Sequence, residues 1–284
     1  MKKTALVLEG GAMQGMYTAG ILDVFMDKNI EFDAIIGVSA GAIFGVNYLS
    51  KQRGRVIRYN KKFNNTKGYM GFRPLLKEGN IINTQYAYEK VPRELDIFDD
   101  ETYKNSTVPF IAVITNVNTG KPEYVEIRSV FEQMDYLRAS ASMPFVSKPV
   151  ELDGGLYLDG AVTDSIPYQH MLDLGYERLI VILTKSNEYI KKPLPKSLAK
   201  IMYHKKYPLF EEAVRNRHIM YNAQKQKVLE LENSGIAKVL RPSEPIYLKK
   251  IEKDPEELEK LYQLGIKDAN KFLEKDGITD EYWK

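Results

Sequence analysis

The chain has 284 residues, 44% hydrophobic and 28% charged, which are ordinary values for a globular protein with a large core and exclude extensive disorder. Its 41 basic and 38 acidic residues leave a formal net charge of only +3, which gives no support for nucleic-acid binding. Because there is no cysteine, disulfides, thiolate metal sites and a cysteine nucleophile are excluded.

The amino-terminal apolar run is short and ends at Glu9. A secretory signal needs a longer apolar stretch and a small-residue cleavage site, and a membrane span needs roughly 18–20 apolar residues. We therefore expect a cytoplasmic protein whose membrane contact, if any, is peripheral.

Strands and helices alternate along the first fifty residues. Thr4–Leu8 predicts a buried strand, followed by a glycine-rich turn at residues 10–15 and a helix that ends near Asp27. Residues 34–38 predict a second strand, and residues 40–49 predict a second helix. Two such units in succession predict an α/β fold with a parallel sheet covered by helices.

The middle of the chain leaves the sheet and returns to it. Residues 51–83 are basic, aromatic and dotted with glycine, and we interpret them as a partly helical excursion. This excursion either borders the functional site or is a solvated connection. Strands are predicted at 109–115 and 123–127, followed by a helix rich in small residues at 130–142.

The last part of the chain changes in character after residue 187. Before that point, a helix from near Pro167 and a strand at 178–183 are predicted. After it we predict a long helix at 210–233, a short strand at 237–241 and a last helix that begins at 254–257 and ends near Glu274. We predict a catalytic unit at 4–185 and a mainly helical extension at 186–284 that packs on the same core.

Residues 37–41 read Gly-Val-Ser-Ala-Gly, between a predicted strand and a predicted helix. This is the pattern and context of a nucleophile elbow, in which small flanking residues let the strand and helix approach while Ser39 projects from a strained turn. The helix amino terminus beside such a serine favours developing negative charge. The alternative interpretation is a tight turn with a capping serine.

The glycine-rich turn at residues 10–15 also joins a strand to a helix. Its exposed N–H groups predict a nest for a phosphate or for the oxyanion of an acyl-transfer intermediate. A dinucleotide site is the alternative, because the turn approaches the Gly-x-Gly-x-x-Gly fingerprint. Ala12 replaces its second glycine, and the acidic residue Asp33 begins the second strand rather than ending it, which argues against a nucleotide.

A serine nucleophile needs a base, and histidine is the usual one. His170, His204 and His218 all lie in helical or basic segments rather than at a strand-to-loop junction. We therefore interpret all three as surface or helix-packing residues.

Two aspartates near residue 155 are candidates for the base instead. Asp153 begins an Asp-Gly-Gly turn between apolar runs, which favours a hairpin tip. Asp159 ends an apolar run and precedes two small residues, which favours a strand end that another loop can approach. Burial there would raise the pKa of Asp159 and make it a better base at neutral pH.

In chain order, the sequence carries the glycine-rich turn, Gly37-x-Ser39-x-Gly41 and Asp159-Gly160-Ala161. This combination resembles the patatin-like phospholipase family over roughly residues 4–185. The resemblance implies a mostly parallel central sheet with helices on both faces, a lipid acyl hydrolase, and no cofactor or metal. Its implied site residues are Ser39 as nucleophile, Asp159 as proton acceptor, Gly10, Gly11 and Ala12 as oxyanion hole, and Gly37, Gly41, Gly160 and Ala161 as motif positions.

Two positions depart from the family pattern. The turn usually carries a third glycine and a basic residue, where this chain has Ala12 and Gln14. Ala12 still offers an N–H group if its backbone angles suit alanine, whereas Gln14 removes a positive charge. The alternative to an enzyme is thus a weak or inactive lipid-binding protein of the same fold.

The predicted partners are a lipid or other acyl-ester substrate and a peripheral membrane surface, with no nucleic acid. For that surface we consider the aromatic residues of 61–72 and the basic stretch 191–206, although both are equally typical of solvated surface. The predicted apolar wall, whose members are also typical of ordinary core, comprises Met13, Met16, Phe44, Met143, Phe145 and Val146.

Overall fold

The computed structural model describes residues 2–66, 68–246, 248 and 251–275. Its strands are β1 (Thr4–Leu8), β2 (Ala34–Val38), β3 (Phe110–Asn116), β4 (Lys121–Glu126), β5 (Val150–Leu152), β6 (Gly155–Asp159), β7 (Arg178–Ile182) and β8 (Ala237–Leu240). Its α-helices are α1 (Met16–Asp27), α2 (Ala40–Leu49), α3 (Arg55–Phe63), α4 (Phe72–Glu78), α5 (Asp100–Lys104), α6 (Met134–Ser140), α7 (Tyr168–Asp173), α8 (Lys196–Tyr203), α9 (Pro208–Asn233) and α10 (Pro255–Lys275).

The described strands form one sheet in the order β5-β6-β3-β2-β1-β7-β8, and β4 pairs with β3. Neighbours among β3, β2, β1, β7 and β8 run parallel, whereas β4, β5 and β6 pair antiparallel. The predicted mostly parallel sheet is confirmed. Because parallel strands end at the same edge, the residues after β1, β2 and β7 meet there.

Helices cover both faces of the sheet. The side chains of β1 alternate, so that Leu6 and Leu8 enter a core with α1, α2 and α10, while Ala5 and Val7 face α7 and α9. All five residues of β1 are buried, as expected for a central strand covered on two sides. The predicted arrangement of helices on both faces is confirmed.

The carboxy-terminal part of the chain contributes to this core. β8 adds a parallel strand beside β7, and α10 packs closely on α1. A Cβ atom at Gly20 would lie 2.1 Å from the Tyr262 carbonyl oxygen, and one at Gly265 would lie 2.2 Å from that of Tyr17. Glycine therefore lets the two helix backbones touch. The division at residues 185 and 186 stays a prediction, and residues 276–284 lie outside the described residues.

Most predicted elements agree with the structure within a few residues, including the partly helical excursion, which forms α3 and α4. A π-helix at Tyr86–Leu95 was not predicted. The helix predicted at 130–142 is shorter and spans only Met134–Ser140. The carboxylate of Asp100 accepts hydrogen bonds from the Val130 N–H (2.6 Å) and the Ser129 hydroxyl (2.8 Å), which holds the preceding residues in a turn.

Within the described residues, no helix combines the length and the hydrophobicity that crossing a membrane requires.

Candidate active site

Ser39 lies between the end of β2 and the start of α2, as predicted. Its backbone has φ 55° and ψ −121°, a strained conformation for any residue other than glycine. A Cβ atom at Gly37 would lie 2.6 Å from the Gly41 carbonyl oxygen, and one at Gly41 would lie 2.5 Å from that of Leu8. The two glycines are therefore what allows the tight turn that projects the serine.

The hydroxyl of Ser39 donates a hydrogen bond to Oδ2 of Asp159 at 2.8 Å. The second oxygen, Oδ1, accepts from the Ala161 N–H at 2.9 Å. The Asp159 backbone is tied on both sides, because its N–H donates to the Ser142 carbonyl and its carbonyl accepts from the Thr115 hydroxyl, each at 2.9 Å. Ser39 and Asp159 are only 6% and 2% exposed, so this contact is largely shielded from solvent.

Gly160 explains how Asp159 reaches the serine. A Cβ atom at Gly160 would lie 2.1 Å from the Val113 carbonyl oxygen, so only glycine lets the loop after β6 lie against β3. Asp159 itself pairs with Ile114, one of the last three residues of β3. The predicted strand-end position of Asp159 is confirmed.

The turn after β1 contacts Ser39 directly. A Cβ atom at Gly10 would lie 2.9 Å from Cβ of Ser39, and one at Gly11 would lie 2.6 Å from Oγ1 of Thr184. Ala12 has φ 50°, in the left-handed region that alanine adopts at a cost of about 1–2 kcal/mol. The turn thus keeps the glycine-like conformation although its third small residue is alanine.

Ser140, at the end of α6, is a site residue that the sequence analysis missed. Its hydroxyl oxygen accepts from the Ser39 N–H at 2.9 Å and donates to the Val113 carbonyl at 2.7 Å. The side chain is fully buried. One serine in a segment of small residues carries no signal of this role, because its partners lie far away in the chain.

Lys185 is a second residue that was missed. It follows β7, and its ammonium group donates to Oε1 of Gln14 in the turn after β1. The Gln14 amide in turn donates to the Leu248 carbonyl at 3.2 Å. The expected loss of positive charge at Gln14 is therefore offset by a lysine from another strand end.

A large apolar pocket opens beside Ser39 and measures about 1050 Å³ including its mouth. Residues from the excursion line it, so the excursion borders the site rather than being only a solvated connection. Burial raises the pKa of Tyr88 in its wall to about 12, so this side chain is uncharged at neutral pH. Such a pocket suits a hydrocarbon chain.

The predicted apolar wall is half correct. Met13, Phe44 and Met143 line the pocket. The other three predicted members do not line the pocket. Met16 is fully buried in the core, and Phe145 packs against Tyr203. The carbonyl of Val146 accepts a hydrogen bond from the Ile81 N–H.

None of the three histidines lies at the pocket or bonds to Ser39. His170 stacks on Tyr124 with ring centroids 3.7 Å apart, His204 lies 3.6 Å from the Glu211 carboxylate, and His218 contacts the Arg215 carbonyl. These positions confirm that they are surface or helix-packing residues.

Asp153 lies at the tip of the β5–β6 hairpin with φ 48°, as predicted, and accepts from the Tyr136 hydroxyl. It is exposed, whereas Asp159 is buried against the serine. Only the second of the two aspartates is therefore positioned to take a proton from Ser39.

Residues 6–172 match the family described as patatin-like phospholipase, which is more than half of the chain. The chain belongs to the patatin-like phospholipase family. Residues 207–276 match a second family, described as a domain of unknown function.

Several known proteins are similar to this chain. The uncharacterized protein YjjU of Escherichia coli is 28% identical over 195 residues, which cover 67% of this chain and 54% of YjjU. Lysophospholipase nte1 of Aspergillus fumigatus is 26% identical over 183 residues, 64% of this chain and 12% of nte1. The crystal structure of VipD from Legionella pneumophila has a TM-score of 0.47 and 11% identity, covering 96% of this chain and 67% of VipD. The chain thus spans about half of YjjU and a small part of nte1.

Proposed function

We propose that the protein hydrolyses carboxylic esters of lipids, with Ser39 as the nucleophile and Asp159 as its base. The observation that carries this proposal is the 2.8 Å hydrogen bond between the two side chains at the mouth of a large apolar pocket. The family and its relatives named as lysophospholipases support a lipid ester as the substrate.

In the first step Asp159 accepts the Ser39 proton as the serine oxygen attacks the ester carbonyl. The N–H groups of Gly11 and Ala12, joined by that of Ala40 at the start of α2, stabilise the resulting oxyanion. One donor of this kind typically lowers the barrier by about 3–4 kcal/mol. The strained Ser39 backbone and the tied Asp159 backbone keep this geometry in place before substrate binds.

In the second step the carbon–oxygen bond to the leaving alcohol breaks, and the alcohol takes the proton from Asp159. Water then attacks the acyl-serine, with Asp159 accepting the water proton and returning a proton to Ser39 as the fatty acid leaves. The acyl chain remains in the apolar pocket throughout, because the pocket opens directly beside the serine.

The helix α8 supports contact with a lipid surface next to this site. It exposes Leu198, Ile201 and Met202, with Ile201 82% exposed. Tyr203 on the same helix is buried and accepts a hydrogen bond from the Phe145 N–H at 2.8 Å, so α8 lies beside the loop that contains Met143 of the pocket wall.

The charge next to α8 favours an anionic lipid surface. Lys200, Lys205 and Lys206 are exposed beside its apolar side chains, a composition typical of interfacial helices.

Replacing Ile201 by glutamate should lower sedimentation with vesicles of anionic phospholipid. Leu174→Glu is the control, since Leu174 is also exposed but precedes β7 at the opposite edge of the sheet. Equal losses in both variants would contradict docking through α8.

Ester turnover tests the proposed function itself. The purified protein should hydrolyse p-nitrophenyl butyrate and caproate with no added metal and keep its rate in EDTA. Inhibition by EDTA that only a divalent ion reverses would contradict the mechanism. A protein that binds vesicles but turns over no ester would instead be the inactive lipid-binding protein.

A further inference from the structure

Glu9 is the last residue before the glycine-rich turn, and its carboxyl group takes no part in the proposed proton transfer. The residue is only 2% exposed. Its Oε2 accepts a hydrogen bond from the Thr184 N–H at 2.6 Å, and its Oε1 accepts from the Tyr221 hydroxyl at 2.8 Å. Burial raises the pKa of this carboxyl, and the two hydrogen bonds oppose that rise. Glu9 thus joins three segments of the chain as a buried acceptor.

Through Thr184, this contact reaches the turn that is proposed to hold the oxyanion. The Thr184 hydroxyl donates to the Gly10 carbonyl at 3.0 Å, and its Oγ1 lies so close to Gly11 that no Cβ atom fits there. The Thr184 side chain is fully buried. Any shift of Thr184 therefore moves the backbone of Gly10 and Gly11.

Tyr221 brings the carboxy-terminal part of the chain into this arrangement. It lies on α9 within residues 207–276, the segment that matches the second family, whereas Glu9 lies in the patatin-like segment. The Tyr221 side chain is buried, and its ring packs edge-on against that of Tyr189 with centroids 5.9 Å apart. A hydrogen bond from one matched segment thus fixes the residue that leads into the proposed oxyanion hole of the other.

The same helix also holds the chain that follows Thr184. The Lys225 ammonium group donates to the Tyr189 carbonyl at 2.6 Å. The side-chain amide of Asn222 accepts from the Lys191 N–H at 2.9 Å and donates to the Lys191 carbonyl at 3.1 Å. α9 therefore anchors both sides of Thr184, through the Glu9 carboxylate and through the loop after β7.

We propose, on the basis of the proposed ester hydrolysis, that Glu9 and Tyr221 are positioning residues for the oxyanion hole. Tyr221 holds the Glu9 carboxylate, which holds Thr184 and with it the turn at residues 10–12. Oxyanion donors act only when they are aimed at the developing charge, and a displacement of about 1 Å can cost about 100-fold in rate. The catalytic site of the patatin-like segment is thus complete only with α9 in place.

Tyr221→Phe tests this proposal because it removes the hydroxyl and keeps the ring. Tyr262→Phe is the matched control. Tyr262 is also buried and also lies within residues 207–276, and its hydroxyl donates to the Asp23 carboxylate at 2.6 Å. However, it packs on the opposite face of the sheet from Tyr221. Both variants lose a buried hydrogen bond to a carboxylate, but only one of these bonds reaches the turn.

Tyr221→Phe should lower kcat for p-nitrophenyl butyrate roughly 10- to 100-fold with little change in KM, because the oxyanion contacts form only in the transition state. A trifluoromethyl ketone, which adds to Ser39 and forms an oxyanion, should bind this variant more weakly by a similar factor. Tyr262→Phe should keep the parent values of both. Equal kcat in the two folded variants would overturn the proposal.

Glu9→Gln and Glu9→Ala test the other end of the contact. A glutamine can accept from the Thr184 N–H with its amide oxygen and donate to the Tyr221 hydroxyl with its amide nitrogen. Glu9→Gln should therefore keep most of the turnover that Glu9→Ala loses. Equal losses in the two folded variants would contradict a role through hydrogen bonding.

Hydrogen exchange separates this proposal from the proposed function, because it requires no turnover. The amides of residues 10–15 should exchange faster in Tyr221→Phe than in the parent and at the parent rate in Tyr262→Phe. Unchanged exchange of this turn in Tyr221→Phe overturns the positioning proposal alone. Faster exchange in Tyr221→Phe, with a parent that turns over no ester, supports the positioning of the turn and contradicts the ester hydrolysis.

Discussion

The backbone N–H of Ser39 donates a hydrogen bond to the hydroxyl oxygen of Ser140, 101 residues further along the chain, at 2.9 Å. Because the same hydroxyl donates to the Val113 carbonyl, Ser140 joins the strained elbow to β3. This contact ties the backbone of the proposed nucleophile to two elements, α6 and β3, other than its own strand and helix. The elbow therefore depends on α6 as well as on its local sequence.

Ser140→Ala should destabilise the protein by about 1–3 kcal/mol, because it leaves the Ser39 N–H and the Val113 carbonyl buried without their partner. It should also lower kcat, since the strained turn is no longer held. The measurements are urea unfolding and ester turnover. Ser142→Ala is the matched control, because the Ser142 hydroxyl bonds to the Arg138 carbonyl within its own segment. Equal effects of the two changes would contradict this role of Ser140.

Ala12→Gly should raise the free energy of unfolding by about 1 kcal/mol, because glycine adopts φ 50° without the steric cost that alanine carries. Ester turnover should be retained, since the N–H group of residue 12 remains. Thermal unfolding and p-nitrophenyl ester hydrolysis check the two parts. A less stable glycine variant would show that alanine is not strained at this position.

Replacing His170, His204 and His218 one at a time should leave ester turnover within a few-fold of the parent, since none of them lies at the pocket. A loss of about a thousand-fold in any folded variant would restore a histidine-based triad.

The pH dependence of stability should nevertheless involve His170. Burial lowers the pKa of His170 below its usual 6.5, so the unfolded chain takes up that proton first as the pH falls. The free energy of unfolding should therefore decrease as the pH drops through about 6.5, and His170→Gln should flatten this decline. Urea unfolding between pH 7 and 5 checks it, and an unchanged slope in the variant would contradict it.

The sequence predicts the parts of the fold and site that are local. The elbow at Ser39 is recognisable because its glycines, strand and helix are contiguous, and Asp159 is recognisable from its strand end and the small residues after it. Ser140 and Lys185 were missed because each bonds to a residue more than 100 positions away. No pattern around them records those partners.

The length of α6 was predicted wrongly for a related reason. Its sequence from 130 to 142 is compatible with a helix, but the Asp100 carboxylate takes the Val130 N–H and holds the first residues in a turn. A tertiary contact thus overrides the local preference. The pairing of β6 with the end of β3, which brings Asp159 beside Ser39, is likewise a property of the folded sheet.

In the proposed mechanism Ser39 and Asp159 act together as nucleophile and base. Ser39→Ala, Asp159→Asn and the double change should be equally inactive, because the two side chains form one unit. A fluorophosphonate probe should label the parent at Ser39 and fail to label Ser39→Ala. This labelling separates a reactive serine from a buried hydroxyl that only caps the turn.

The most direct test is the turnover of p-nitrophenyl butyrate by Asp159→Asn beside Asp153→Asn, with both proteins shown to be folded. An amide nearly preserves the shape of the carboxylate but cannot accept the Ser39 proton, so Asp159→Asn should lose its activity. Asp153→Asn should keep its activity, because asparagine tolerates the same hairpin backbone. An active Asp159→Asn beside an inactive Asp153→Asn would contradict the dyad.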